Sequence, residues 1–105
     1  MNIEESNKII AEFVGFKFSE HFGGFMTESG NVQFYKANYH KSWSRLMPVI
    51  EKIESLGYKF QLCRHRAQIC LDDGFNTPAL CDYKGETKIQ AAYVAVVNFI
   101  KNYKP

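Results

Sequence analysis

The feature that most constrains this chain is a pair of alternating runs between residues 58 and 72. Apolar residues occupy every second position from Tyr58 to Leu62 and again from Ala67 to Leu71. A period of two places successive side chains on opposite faces, which is the pattern of a half-buried strand. The basic turn Arg64-His65-Arg66 joins the two runs. The sequence therefore predicts an antiparallel hairpin here, with one face turned towards a core.

Two other segments carry clear start signals for amphipathic helices. The first runs from Ile3 to Val14 and follows Asn2, a residue type that caps helix N-termini well. The last begins with a capping box made by Thr87 and Gln90, and its apolar stripe continues to Tyr103. These signals predict helices at both ends of the chain.

A third helix is predicted in the middle of the chain, and its start is open to two interpretations. Apolar residues recur at helical spacing up to Leu56, and either Ser42 or Ser44 can be the cap. Pro48 favours the start at Ser44, because proline is tolerated in the first turn of a helix. A kinked helix that starts at Trp43 is the alternative.

Shorter strands complete the prediction. Turn residues bracket runs at Phe25 to Thr27 and Val32 to Lys36, which suggest a second hairpin, and a further strand is predicted over Ala79 to Tyr83. The order is α-β-β-α-β-β-(β)-α, an α+β class with three helices on an antiparallel sheet of four or five strands. A length of 105 residues fits one domain, residues 1–105.

Composition limits the function classes. Hydrophobic residues make up 46% of the chain, which suffices for a core, and the net charge of +2 neither demands nor forbids a nucleic-acid partner. The longest apolar stretch, Tyr93 to Val97, is too short to span a bilayer, and no apolar signal region follows Met1. The odd cysteine count, Cys63, Cys70 and Cys81, indicates reduced thiols and a cytoplasmic location.

Zinc and nuclease chemistry are the two metal-based hypotheses. Zinc would need convergent ligands, but no CxxC occurs and Cys63 and Cys70 fall on strands. A restriction-type nuclease would use Asp72 or Asp73 with the Glu86-Thr87-Lys88 segment, yet that segment surrounds a helix cap rather than a strand. We therefore expect a non-enzymatic protein with no catalytic residue, metal site or cofactor.

Nucleic-acid contact has the best local support. Two arginines and a histidine at a tight turn can grip phosphate, and aromatic residues interleaved with cations can stack bases. The candidate contact residues are Lys59, Arg64, His65, Arg66, Tyr35, Lys36, Tyr39, Lys41, Trp43 and Arg45. Alternatively, the segment from His21 to Trp43, which is rich in aromatic residues, glycine and asparagine, forms a surface for a protein partner. The sequence does not decide between these two surfaces or predict an oligomeric state.

Three stretches together resemble a known family: Asn2-Ile3-Glu4 with residues 10–13, Tyr39 to Trp43 running into residues 46–57, and Lys88 to Tyr93 continuing to Ile100. They are similar to the small phage and prophage proteins grouped as phage ABA-sandwich domains. The resemblance implies a three-layer sandwich with a central sheet and no established catalytic residues. It also implies an anti-defence role in the host cytoplasm. The sharpest expectation is an anti-CRISPR inhibitor that binds a type VI RNA-guided nuclease or its guide RNA.

Overall fold

The structure, a computed structural model, describes residues 2–21, 23–26, 32–34, 38–71 and 81–103, with the backbone alone at 32–34 and 81. Within these residues, three helices and six strands follow one another. They are α1 (Ile3–Phe13), β1 (Lys17–Ser19), β2 (Gly24–Met26), β3 (Val32–Phe34), α2 (Trp43–Ser55), β4 (Tyr58–Cys63), β5 (Arg66–Leu71), β6 (Cys81–Lys84) and α3 (Lys88–Asn102).

The predicted α+β class, with three helices and antiparallel strands, is confirmed. The structure differs from the prediction in its sheets, because the strands form two sheets of three, ordered β1-β2-β3 and β4-β5-β6. The sequence pattern predicted one sheet of four or five strands and contained no signal for β1. That strand has only three residues, which is too short to show a period of two.

The start of α2 at Trp43 corrects the prediction that Ser44 is the cap. Ser42 is the N-cap residue, and its carbonyl accepts from the backbone amides of both Arg45 and Leu46. The helix therefore starts two residues earlier than predicted from Pro48, with Ser42 and not Ser44 as its cap. Pro48 lies inside the helix, where it supplies no N–H for a backbone hydrogen bond.

The core forms where the helices cover the β4-β5-β6 sheet. α3 packs against β5 and β6, α2 packs against β4, and α1 packs on α3. The face of α3 that meets the sheet is rich in alanine and valine, which allow close approach. Fully buried members of this core are Ile10, Ala11, Leu46, Ile53, Ala67, Ile69, Ala91, Ala92, Ala95, Val96 and Val97.

Contacts at one end of the molecule show that the helices run in the same direction. The Lys52 amine, near the end of α2, donates to the carbonyl of Phe13 at the end of α1. Phe13 meets the Tyr103 ring just after α3, with 6.2 Å between ring centroids. The C-termini of all three helices therefore lie together, and we call this the helix C-terminal end.

Contacts at the opposite end agree. The Tyr93 hydroxyl, in the first half of α3, donates to the carbonyl of Ile3 at 3.5 Å. His40, just before α2, accepts from the Asn7 side chain at 3.1 Å, and its ring lies 5.9 Å from that of Tyr93. The N-termini of α1, α2 and α3 therefore also lie together. We call this the helix N-terminal end.

Candidate nucleic-acid interface

The β4–β5 hairpin presents its basic turn to solvent. Cys63 pairs with Arg66, so Arg64 and His65 alone form the loop, and both are exposed. Two-residue hairpin loops of the favoured types need a positive φ, and Arg64 supplies it with a φ of 54°. Arg66 is the first residue of β5 rather than part of the turn. The predicted hairpin and its basic loop are confirmed.

The turn also contacts the segment that leads into α3. The backbone amide of Gly85 donates to the carbonyl of His65 at 2.8 Å. A side chain at Gly85 would have no room, because its Cβ would lie 2.7 Å from the backbone nitrogen of Ala91. This close approach places the exposed residues Lys84 and Lys88 near the turn. We define the basic cluster as Arg64, His65, Arg66, Lys84 and Lys88.

Arg66 is already engaged within this cluster. Its guanidinium donates to both carboxylate oxygens of Asp82, with 2.6 Å between Nε and Oδ1. The hydrogen bond from Arg66 is the main reason that the pKa of the Asp82 carboxyl is lowered. Gln68 and Lys84 act on the same carboxylate in the same direction. Arg66 therefore shares its charge with Asp82, which weakens its predicted role as a phosphate clamp.

The start of α2 lies at the same end of the molecule. α2 and β4 are joined by the turn at Leu56 and Gly57 and pack against each other. Thirteen helical residues and six strand residues both span about 20 Å, so α2 begins beside the end of β4. The exposed residues Lys41, Trp43 and Arg45 are thereby placed at the end that carries the basic cluster.

Exposed acidic residues also lie at the helix N-terminal end and reduce its positive charge. Glu4 and Glu5 occupy the first turn of α1, and Glu86 precedes α3. The N-terminus of α3 is also capped by its own residues, because Thr87 Oγ1 accepts from the backbone amide of Gln90 at 3.2 Å. The positive surface is therefore carried by the side chains of the basic cluster and of residues 41–45.

Two predicted contact residues do not belong to this surface. Tyr39 is only 2% exposed, and burial raises the pKa of its hydroxyl. A ring in the core cannot stack on a base, so Tyr39 is a structural residue. Lys59 pairs with Cys70 near the other end of β4, four positions from Cys63 and about 13 Å along the strand. Tyr35 and Lys36 lie outside the described residues.

The aromatic segment from His21 to Trp43 is divided between core and surface. Phe25 is buried like Tyr39, whereas Trp43 keeps 37% of its surface exposed. Among the aromatic residues of the segment whose side chains the structure describes, Trp43 near the start of α2 is therefore the exposed one. The parts of the segment at 22, 27–31 and 35–37 lie outside the described residues.

Lys84 and Lys88 were not among the predicted contact residues. Each is an isolated lysine, and neither lies near Arg64 in the sequence. The signal that could have found them is the pairing of β6 with β5, in which Lys84 faces Arg66. That pairing follows from the third strand of the sheet, for which the sequence predicted different bounds.

The metal-based hypotheses find no support in the part of the chain that the structure describes. There, no three histidine, cysteine, aspartate or glutamate side chains are close enough to share a metal ion. Cys63 is exposed and Cys70 is buried, and they lie at opposite ends of the hairpin. The backbone amide of Glu86 donates to the Gln90 side chain in the helix cap. Asp72 and Asp73 lie outside the described residues.

Comparison with known proteins does not identify a function for this surface. No family model matches the chain, and no curated protein or solved structure matches it either. The membership expected from the resemblance therefore stays a prediction. Among the described residues, no helix is both long and apolar enough to cross a membrane.

Proposed function

We propose that this chain is a non-enzymatic protein that binds single-stranded RNA at its helix N-terminal end. The observation that carries the proposal is the convergence of three separate chain segments there. The β4–β5 turn brings Arg64 and His65, the start of α3 brings Lys88, and the start of α2 brings Trp43. These residue types are the ones that grip phosphates and stack bases.

Single-stranded RNA suits this surface better than a duplex does. The cations are spread over one end of the molecule rather than along a helix that could enter a groove. An exposed tryptophan among them can stack on an unpaired base, which is worth about 1–3 kcal/mol per base. The positive ends of three parallel helices add to the attraction for phosphate, within about one turn of each terminus.

The test is the salt dependence of binding to a labelled single-stranded RNA, measured by fluorescence anisotropy. We expect log K to fall linearly with log salt, because bound cations are released from the RNA. Lys88→Gln should weaken binding and reduce the slope by about 0.7, the value for one phosphate contact on a single strand. Lys101→Gln is the matched control, since Lys101 is an exposed lysine in the last turn of the same helix.

Arg64→Asn provides a second variant for this experiment. Asparagine tolerates a positive φ, so the substitution removes the charge and keeps the turn. It should weaken RNA binding as Lys88→Gln does. Equal affinities for the wild type, Arg64→Asn and Lys88→Gln would contradict the proposal. So would a loss of binding in Lys101→Gln of the same size.

A protein partner is the second candidate, and exposed apolar residues on α2 favour it. Trp43 and Met47 lie one turn apart, with 37% and 43% of their surfaces exposed. Large aromatic residues and methionine are enriched in protein interfaces. This surface supports the proposal, drawn from the resemblance, of a phage inhibitor that binds a type VI RNA-guided nuclease in the host cytoplasm.

The inhibitor proposal is tested with a purified type VI nuclease loaded with guide RNA. We expect the chain to co-elute with the complex and to slow target cleavage, and Trp43→Ala to weaken inhibition at least tenfold as an interface anchor would. Leu56→Ser removes an exposed apolar side chain at the far end of α2 and serves as the control. Full cleavage at saturating inhibitor would exclude this partner without affecting the RNA-binding result.

A further inference from the structure

Arg66 and Asp82 lie on the face of the β4-β5-β6 sheet opposite to the helices, and both are exposed. Ala67 and Ile69 of β5 are buried in the core against α3. Arg66 and Gln68 alternate with them along the strand and therefore point to the other side. Asp82 is the partner of Gln68 in the pairing of β6 with β5, so its side chain lies on this same side. A polar surface therefore continues from the basic cluster onto the outer face of the sheet.

A cleft of about 540 Å³ lies on this face beside Arg66. Its other lining residues are Gln61, Leu62, Cys63 and Gln68. Sites for small molecules have volumes of about 300–1,000 Å³, so the cleft has room for one nucleobase with its ribose. The two glutamine amides can both donate and accept hydrogen bonds, and Leu62, which is 37% exposed, provides an apolar wall. Such a lining suits the edge and the face of a nucleobase.

Asp82 binds one edge of the Arg66 guanidinium and leaves the other edge available. The carboxylate accepts from Nε and from Nη2, so it uses two of the five N–H groups of the guanidinium. Both N–H groups of Nη1 and the second one of Nη2 remain. Gln68 also hydrogen-bonds the carboxylate, which helps to fix its orientation. Since the Arg66 side chain is 49% exposed, its second edge is held in place and open to a ligand.

The pair with Asp82 also decides which ligand suits Arg66. The ion pair has no net charge, so it attracts a phosphate less than an unpaired guanidinium does. Guanine presents two adjacent acceptors, O6 and N7, and bidentate contact of arginine with them is the commonest specific base contact. Adenine has the N6 amino donor where guanine has O6, so a donor would face one of the N–H groups. The available edge of Arg66 therefore favours guanine over adenine.

We propose that this cleft recognises a guanine base of the bound RNA, with Arg66 donating from Nη1 and Nη2 to O6 and N7. The inference rests on the proposed RNA binding and names the base that the site selects. Arg64 and Lys84 lie next to Arg66 in the sequence and in the sheet, where they can hold the flanking phosphates. Asp82 is a positioning residue, because it acts on the base only through the guanidinium.

Fluorescence anisotropy with a set of short RNAs tests the choice of base. Each RNA is a uridine oligomer of about eight nucleotides whose central position holds guanosine, adenosine, cytidine or uridine. We expect guanosine to bind about tenfold more tightly than the other three, which is within the discrimination given by one bidentate contact. Equal affinities, or a preference for another base, would overturn the inference and leave RNA binding intact. Failure of the wild type to bind any of the oligomers would overturn both.

Two base analogues locate the contact on the wild-type chain. Inosine keeps O6 and N7 and should bind as guanosine does. 7-Deazaguanosine lacks N7 and should lose most of the preference; full retention would contradict a contact at N7. Free guanosine monophosphate should compete at least a hundredfold less well than the guanosine oligomer, because it lacks the flanking phosphates. Equal competition would make a free nucleotide, and not RNA, the ligand of the cleft.

Substitutions assign the preference to Arg66. Arg66→Lys keeps the charge but loses the planar fork, so the guanosine and uridine oligomers should bind within about twofold of each other. Asp82→Asn should also lower the preference without weakening binding of the uridine oligomer, since it removes an acidic residue. Arg64→Asn is the matched control and should weaken all oligomers alike, which keeps their ratio. An unchanged preference in Arg66→Lys, with the fold checked by circular dichroism, would show that another residue recognises the base.

Discussion

The side chain of His40 contacts residues of both other helices, Asn7 in α1 and Tyr93 in α3. Its Nδ1 lies 3.1 Å from the Asn7 amide nitrogen, which can only donate, so Nδ1 accepts and the ring must be neutral for this bond. The ring also lies near that of Tyr93 in α3. Burial, and secondarily the charge of Lys41, lowers the pKa of His40. One imidazole therefore links the segment before α2 to both other helices.

We expect this histidine to make stability depend on pH. A pKa lower in the folded state than in the unfolded chain means that the unfolded chain binds the proton more readily. The contribution is complete above the unfolded pKa of about 6.5 and is lost as the pH falls through the folded value. Urea unfolding between pH 5 and pH 8 should show this loss in the wild type and a smaller one in His40→Gln.

His65→Gln is the control for that series, because His65 is an exposed histidine at the β4–β5 turn. Its stability should follow the wild-type curve. If His40→Gln loses as much stability on acidification as the wild type does, the assigned role of His40 is wrong.

Among the elements, local signals decided which predictions succeeded. The predicted caps at Asn2 and Thr87 are confirmed, since their side chains accept from the amides of Glu5 and Gln90, and such caps act within four residues. The second bond of the predicted capping box is shifted, because the Gln90 side chain accepts from the amide of Glu86, one residue before Thr87.

The alternating sequence of the two strands predicted the β4–β5 hairpin, although burial alternates in neither strand along its whole length. In β5, Cys70 is buried and Leu71 is exposed, the reverse of the predicted faces. The division into two sheets depends on which strands meet across long sequence distances, and no local pattern encodes that choice.

The start of α2 shows the opposite case, in which a local signal misled. Pro48 indicated a late start, yet packing of Leu46, Val49 and Ile50 in the core holds the helix from Trp43 onwards. Proline in a helix interior costs about 3 kcal/mol relative to alanine. The helix therefore tolerates an unfavourable residue on its exposed side because its other side is buried.

Replacing Pro48 by alanine should stabilise the chain. We expect a gain of about 1–3 kcal/mol in the free energy of unfolding, because alanine restores the N–H and removes the clash with the preceding turn. Urea denaturation measures this gain. Pro48→Gly restores the N–H as well but should gain about 1 kcal/mol less, since glycine is a poorer helix former. A loss of stability in both variants would show that the proline conformation matters more than the hydrogen bond.

At the scale of the whole molecule, aromatic rings hold the helix C-terminal end together. The Tyr103 ring stacks on Phe99 with centroids 5.4 Å apart and meets Tyr58 edge-on at 6.2 Å. Tyr58 meets Phe99 at 4.8 Å. These contacts join α3 to the first residue of β4, and the contact of Tyr103 with Phe13 adds α1. The last described residue thus connects three elements.

Tyr103→Ala should therefore destabilise the fold despite its terminal position. We expect a loss of about 1–3 kcal/mol, below the range for a fully buried aromatic residue because this ring is half-buried. Thermal unfolding followed by circular dichroism measures it. Tyr103→Phe keeps the ring and should remain within about 0.5 kcal/mol of the wild type. Equal melting temperatures for Tyr103→Ala and Tyr103→Phe would contradict a stabilising role for the ring.

The candidate site is a property of the whole molecule, and for that reason the sequence revealed it only partly. Arg64, His65 and Trp43 could be selected by residue type alone. Tyr39 is also aromatic and Lys59 is also basic, but neither belongs to the site. Tyr39 is buried in the core, and Lys59 lies at the end of β4 that is far from the basic cluster. Lys88 joins the cluster only because β6 returns the chain to the β4–β5 turn.

The common direction of the three helices affects how a negatively charged partner binds to the molecule. Each helix has a partial positive charge at its start and a partial negative charge at its finish, and here the three add instead of cancelling. These partial charges act within about one turn of each terminus, so they help to orient the molecule once a polyanion is close to the helix N-terminal end. Such steering raises association rates and fades as ionic strength increases. Two molecules packed side by side in opposite directions would cancel this polarity and lose the orienting effect.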